Sequence, residues 1–280
     1  MRVLAPRDLP ELFEALAQPG AKIMAGGTDL LVRLRQADQR GEPRPETLVR
    51  LGGISALHGV ERRPCGALGL GAACTHAELL AHPLVRSELP ELCAALCELG
   101  SPPIRNMGTL GGNICTASPA GDALPPLLAL GAEVELASAS GLRRVPLSEF
   151  ITGPGRTRLA PGEVLTAVRA RPTQGFQIRR FEKVGRRGAL AVAVVSLAAL
   201  VRLERGRVAE ARLAWGSVGP TVWRCPEAET ALVGERLGLS ALTRAAKIVS
   251  HEVKPIDDSR ASADYRRQVA GNLLLRLAVL

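Results

Sequence analysis

With 280 residues, the chain is long enough for one large domain or two to three small ones around a sizeable core, and 46% hydrophobic content supports a globular reading. Aromatic residues make up only 2%, so Leu, Val and Ala must fill that core and platforms for stacking nucleic-acid bases are nearly absent. The formal charge of +9 is dispersed rather than gathered in one block, from Arg33 and Arg35 to Arg266 and Arg267, which argues against a nucleic-acid partner and suits a solvated surface or an acidic protein partner.

The first unit opens with Pro10 ahead of a helix whose apolar stripe is Leu9, Leu12, Phe13 and Leu16; Pro19 and Gly20 end it. Ala21 to Ala25 reads as a short strand running into the glycine turn Ala25-Gly26-Gly27-Thr28-Asp29, and Leu30 to Leu34 as a short helix leaving it. Residues 37–46 are polar with two prolines, a surface loop before a strand at Thr47 to Leu51. A second unit begins near Gly53, with a strand at Ala67 to Ala73 and a helix that Thr75 and Glu78 open as a capping box. Leu89, Leu92, Leu96 and Leu99 fall on one stripe of a longer helix that stops at Gly100, and Pro102-Pro103 forbid its continuation.

A second glycine turn follows, Thr109-Leu110-Gly111-Gly112-Asn113, then a helix from Asp122 through Leu130 and an alternating strand at Glu133 to Ala137. From about Gln174 the texture changes to three successive strands, Phe176 to Val184, Ala189 to Leu203 and Val208 to Val218, with Glu204 to Arg207 as a hairpin turn. Helices are expected at Pro226 to Leu232, Leu239 to Ser250 and Ser262 to Leu277, laid on one face of that sheet. The longest apolar run, residues 189–201, is too short to span a membrane and reads as a buried strand. Pro6, Asp8 and Pro10 interrupt any signal-peptide core, so a cytoplasmic protein is expected.

Each glycine turn presents consecutive backbone N–H groups on residues with little side-chain bulk, and a pair of such turns can cradle a diphosphate from two sides. A single one is a common loop. The first lacks the lysine of a P-loop and the three-glycine spacing of a Rossmann turn. Around the second, Arg105, Asn106, Thr109, Asn113, Thr116, Ser118 and Asp122 supply polar groups suited either to a ligand or to bracing the loop, and Asp122 serves equally as a helix cap. Lys183, beside Glu182 and ahead of Arg186-Arg187, reads from its neighbours alone as a surface charge. None of His58, His76, His82 and His251 has metal-ligand spacing, and each reads as a surface or core histidine. Cys65, Cys74, Cys93, Cys97, Cys115 and Cys225 form no CxxC pair, so most are expected to be buried free thiols.

The stretch Lys22 to Leu30, the run Ile104-Arg105-Asn106-Met107-Gly108-Thr109-Leu110-Gly111-Gly112-Asn113-Ile114, and Ala117-Ser118-Pro119 with Asp122 resemble the FAD-binding medium subunits of molybdenum hydroxylases, the xanthine dehydrogenase and carbon monoxide dehydrogenase family. Phe181 to Arg187, Pro255 to Arg260 and Tyr265-Arg266-Arg267 resemble that family's C-terminal flavoprotein domain, so the likeness covers nearly the whole chain in order. The resemblance implies an α+β chain: a two-subdomain α/β FAD-binding unit of the vanillyl-alcohol-oxidase-like type, 1–53 and 54–171, and a small C-terminal domain, 172–280, with a three-stranded antiparallel sheet and helices. It implies that FAD is held by Lys22, Ile23, Met24, Ala25, Gly26, Gly27, Thr28 and Asp29 in the first turn and by Gly108, Thr109, Gly111, Gly112 and Asn113 in the second. Thr116, Ser118, Asp122, Val164, Leu165 and Lys183 match further cofactor contacts, the last a lysine near the flavin or its phosphates. Cys115 should lie close to FAD, and no inserted cysteine loop suggests a further cluster on this chain. A molybdenum-pterin cofactor on a large partner and two [2Fe-2S] clusters on a small partner follow by the same resemblance, in a dimer of heterotrimers that passes electrons through FAD to NAD or another acceptor. A non-catalytic assembly subunit with a degenerate flavin site is the alternative.

Overall fold

The computed structural model describes residues 1–278. In the first part, β1 (Arg2–Leu4), α1 (Leu9–Leu16), β2 (Ala21–Met24), α2 (Leu30–Gln39) and β3 (Thr47–Arg50) build a three-stranded parallel sheet in the order β1-β3-β2. Asp8 caps α1 by accepting from the Glu11 amide, with Pro10 in the first turn, and Leu12 and Ala15 bury its inner face. α2 runs five residues beyond Leu34, into the segment expected to be loop, and buries none of its own residues.

The middle part contains β4 (Val60–Arg62), β5 (Leu68–Gly71), α3 (His76–Ala81), α4 (Pro83–Glu88), α5 (Pro90–Glu98), α6 (Pro102–Met107), α7 (Leu110–Thr116), α8 (Leu124–Ala129), β6 (Glu133–Ser138), β7 (Gly141–Pro146), α9 (Leu147–Phe150), β8 (Ile151–Gly153), β9 (Arg156–Thr157) and β10 (Val164–Ala170). Its sheet is five-stranded and antiparallel, ordered β4-β5-β10-β6-β7. The capping box at Thr75 forms in full, with Glu78 N donating to Thr75 Oγ1 and the Glu78 carboxylate accepting from Thr75 N. The preceding helix ends at Glu98, ahead of Gly100 with its positive φ, and Pro102-Pro103 begin α6, because proline fits the first helical turn, where its missing N–H would have no intrahelical partner.

The second glycine segment is a helix start rather than an open turn. Thr109 caps α7 by accepting from Gly112 N at 3.1 Å, so Gly111 and Gly112 lie inside the helix. Asp122 makes no cap; Ala123 occupies that position ahead of α8.

The last part contains β11 (Ile178–Val184), β12 (Val195–Glu204), β13 (Arg207–Gly216), β14 (Trp223–Arg224), α10 (Pro226–Leu232), α11 (Leu239–Glu252) and α12 (Ala263–Leu275). Its antiparallel sheet has four strands, β11-β12-β13-β14, because Trp223–Arg224 adds a short edge that two residues of sequence did not announce. Arg205 and Gly206, both with positive φ, make the hairpin turn. The sheet is covered on both faces. Leu197, Ala199, Val201, Leu213 and Trp215 share a core with α10, α11 and α12, whereas Ala198, Leu200 and Ala214 join the core of the middle part beside α8. Burial on two faces explains the continuous apolar run of β12. A third cluster, with Leu12, Val49, Leu51, Ala73, Ala137 and Val164, joins the first and middle parts. Among the described residues, no helix is long and apolar enough to cross a membrane.

Candidate functional site

A cleft of about 400 Å³ lies between the first and middle parts. Its first wall is the turn that joins β2 to α2. Gly27 has φ +72°, and a Cβ on Gly26 would stand 1.7 Å from Met107 O, so this bend exists only with glycine at both positions. The amides of Gly26, Gly27, Thr28 and Asp29 donate to no acceptor among the described residues. They converge at the N-terminus of α2, where the helix dipole adds partial positive charge. Lys22 lines the same wall, outside every ion pair of the described residues. Asp29 pairs with Arg33 at 2.7 Å and accepts from Thr116 Oγ1 at 3.4 Å, tying α2 to α7.

The opposite wall is the start of α7, and its amides are already used. Leu110 N donates to Cys74 O (3.0 Å), Gly111 N to Ala72 O (2.8 Å), Gly112 N to Thr109 Oγ1 (3.1 Å) and Asn113 N to Thr109 O (3.0 Å). The amides of Leu110 to Asn113 are therefore withdrawn from a two-sided main-chain grip, and the open amide left on this wall is that of Thr109, which donates to no acceptor among the described residues. What α7 offers the cleft is side chains: Thr116, Cys115, and Asn113, whose Oδ1 is buried without a partner. Burial pushes the Cys115 thiol up to about 12, so it lines the cleft as an inert apolar group. Gly111 owes its small size to packing, since a Cβ there would meet Ala72 Cβ at 2.8 Å and Ala72 O at 2.9 Å. Leu51, Leu99, Ile104, Leu159, Val164 and Leu165 supply the apolar lining.

Fifteen of the positions singled out in the sequence thus share one cleft: Lys22, Ile23, Ala25 to Asp29, Gly108, Thr109, Gly111 to Asn113, Thr116, Val164 and Leu165. Four do not line it. Met24, the last residue of β2, sets its sulfur beside Gly27 while its carbonyl accepts from Leu51 N, and Ser118 Oγ accepts from Ala120 N within its own loop. Asp122 and Lys183 form a buried ion pair at 2.7 Å, their side chains 8% and 5% exposed. Lys183 Nζ also donates to Glu98 O at 2.9 Å, so Lys183 is neither a surface charge nor a free cation. Burial pushes the Asp122 carboxyl up to about 6 despite that lysine. The pair borders a second hollow lined by Glu98, Gly185, Arg186 and Arg187; Leu99, the next residue, lines the cleft itself.

Sequence reasoning missed His76, Arg33, Leu51, Leu99, Ile104 and Leu159 as lining residues. For the leucines no local signal exists. Cys74 and Cys225 are buried free thiols as expected, but Cys65 and Cys97 are exposed.

The site's open amides, lone lysine and apolar sides suit an elongated anionic cofactor. Residues 1–170 match the family described as the FAD-binding domain in molybdopterin dehydrogenase, and residues 179–279 match the CO dehydrogenase flavoprotein C-terminal domain. The chain belongs to this family. It is an oxidoreductase flavoprotein subunit whose cofactor is FAD. The flavoprotein is 35% identical over 250 residues to the putative xanthine dehydrogenase FAD-binding subunit of Escherichia coli K12, covering 89% of this chain and 84% of that one. It is 31% identical to the carbon monoxide dehydrogenase medium chain of Hydrogenophaga pseudoflava, over 97% and 93% of the two chains. Among solved structures, quinoline 2-oxidoreductase from Pseudomonas putida 86 superposes with a TM-score of 0.92 at 31% identity, covering 100% of this flavoprotein and 95% of that chain. The carbon monoxide dehydrogenase of H. pseudoflava superposes with a TM-score of 0.92 at 29% identity, over 99% and 95%.

Proposed function

We propose that this flavoprotein is the electron-relay subunit of a cytoplasmic molybdenum hydroxylase assembled as a dimer of heterotrimers. Its partners would be a large molybdenum-pterin subunit and a small subunit with two [2Fe-2S] clusters, and its three parts would act as units 1–53, 54–171 and 172–280. Bound FAD would supply the exchange between single electrons from the iron–sulfur centres and electron pairs delivered to NAD or another acceptor. The rest of the function falls to this chain's own residues. The amides of Gly26 to Asp29 bind the diphosphate at the start of α2, and Lys22 adds a full positive charge beside them. Asn113 lines the cleft from α7, Thr116 with Asp29 holds the two walls together, and Val164, Leu165 and Leu51 exclude water.

The row of four undonated amides carries this reading, because buried or half-buried N–H groups are rarely left unpaired without a ligand. It also disfavours a decayed flavin site kept only for assembly. Purified full-length chain should be yellow with about one FAD per chain, and anaerobic NADH should bleach its visible flavin absorbance. A colourless chain that takes up no added FAD would refute the cofactor assignment. Flavin that stays oxidised under NADH yet is bleached by the reduced small subunit would replace NAD by another acceptor.

A further inference from the structure

His76 is the first residue of α3 and is only 2% exposed. Its amide donates to Gly108 O at 3.0 Å, and its ring covers Gly108 so closely that a Cβ there would lie 3.2 Å from Cδ2 and 3.4 Å from Nε2. Thr75, the preceding residue, forms a β-bridge with Thr109, so the ring is fixed to the backbone at the entrance to α7. The ring lines the cleft, its Nδ1 is buried with no hydrogen-bond partner, and no side-chain hydrogen bond joins the imidazole to the protein among the described residues. A core histidine normally gives at least one ring nitrogen a partner, because a stranded polar group keeps the full cost of its lost hydration. Asn113 Oδ1, on the same cleft, is stranded as well.

We infer that His76 is a cofactor-binding residue, whose imidazole donates a hydrogen bond to an oxygen of the flavin dinucleotide through Nε2, the ring nitrogen that is unpartnered but, unlike Nδ1, not sealed from the cleft. The inference rests on the cleft being the FAD site. Burial, with Arg105 nearby, lowers the His76 pKa to about 4, so at neutral pH the ring is an uncharged imidazole with one N–H to donate and adds no cation to the site.

The test uses the full-length chain, stripped of flavin and titrated with FAD. The chain has only four histidines, so isotope-labelled imidazole nitrogens can be assigned by losing one signal in His76→Gln. The His76 nitrogen resonance should shift as FAD binds, and those of His58, His82 and His251 should not. In parallel, His76→Phe, which keeps the ring but loses the donor, should weaken FAD binding roughly 3- to 10-fold, and His76→Gln, which keeps an N–H, should lie between the two. The FAD-free melting temperatures of both variants report folding separately. If wild-type chain binds FAD while the His76 resonance stays still and His76→Phe binds as tightly, His76 is a packing residue and the inference falls. If wild-type chain binds no FAD, the function proposed for the cleft has failed before His76 is reached.

Discussion

Gly26 and Gly111 each belong to a Gly-Gly pair, yet their missing side chains face different neighbours. A Cβ on Gly26 would collide with Met107 O at 1.7 Å, backbone against backbone, which nothing can relieve without moving the turn that carries the open amides. A Cβ on Gly111 would press on Ala72 at 2.8–2.9 Å, away from those amides. Gly26→Ala should therefore lower FAD retention at least tenfold, with a destabilisation of about 2–4 kcal/mol, whereas Gly111→Ala should cost about 1–3 kcal/mol and leave the FAD content of folded protein unchanged. Melting curves read beside flavin-to-protein ratios separate the two. Both glycines were visible in the sequence, but what each one avoids was not. The collision partners of Gly26 lie about eighty residues away, and spacing along the chain carries no record of them.

At the level of elements, the Asp122–Lys183 pair joins the loop before α8 to β11, and Lys183 Nζ also reaches Glu98 O, the last carbonyl of α5. Three elements thus meet on one ammonium group. Removing the cation strands a buried carboxylate, so Lys183→Met should destabilise the flavoprotein by about 3 kcal/mol near neutral pH, and Asp122→Asn in the same chain should restore most of that loss. The Asp122 carboxyl, pushed up to about 6, is already prone to take a proton, so the penalty should shrink near pH 5. Urea titrations of the two single variants and the double variant close the cycle; an uncoupled pair would show simple additivity. Element identity was legible at the Pro10 helix start, the Thr75-Glu78 capping box and the turn at Arg205-Gly206. It was not legible at Gly111-Gly112, where a Thr109 cap makes a helix out of glycines that resemble a loop, nor at α2, whose polar end continues as helix.

Across the whole molecule, the middle and last parts are joined through Glu91 on α5, which is fully buried, with Thr173 Oγ1 3.2 Å from its Oε2; Thr173 N donates to Glu88 O as well. Burial pushes the Glu91 carboxyl up to about 7 against the help of Thr173 and Arg179. Below the ordinary value of 4.5 folded and unfolded chains are both protonated there; between 4.5 and about 7 the folded chain keeps a proton that the unfolded one has released. Stability from this group is thus fully present at low pH and is lost as pH rises through that window, on the order of 2–3 kcal/mol. Glu91→Gln should flatten the slope, gaining about 1–3 kcal/mol near pH 8 and almost nothing near pH 4, as read by denaturant midpoints against pH. His76, with its lowered pKa, contributes the opposite slope between about 4 and 6.5, so the informative quantity is variant minus wild type. The sequence by itself determined much of what is local: most of the stretches that become strands and helices, the first glycine turn, and the ordered motifs that point to a flavoprotein of molybdenum hydroxylases. Only the tertiary structure decided that α7's amides are consumed by Cys74 and Ala72, that Lys183 is spent on Asp122, that β12 is buried on two faces, and that His76 enters the cleft. Each of these depends on a hydrogen-bond or packing partner supplied by a distant segment, and such partners exist only once the chain has folded.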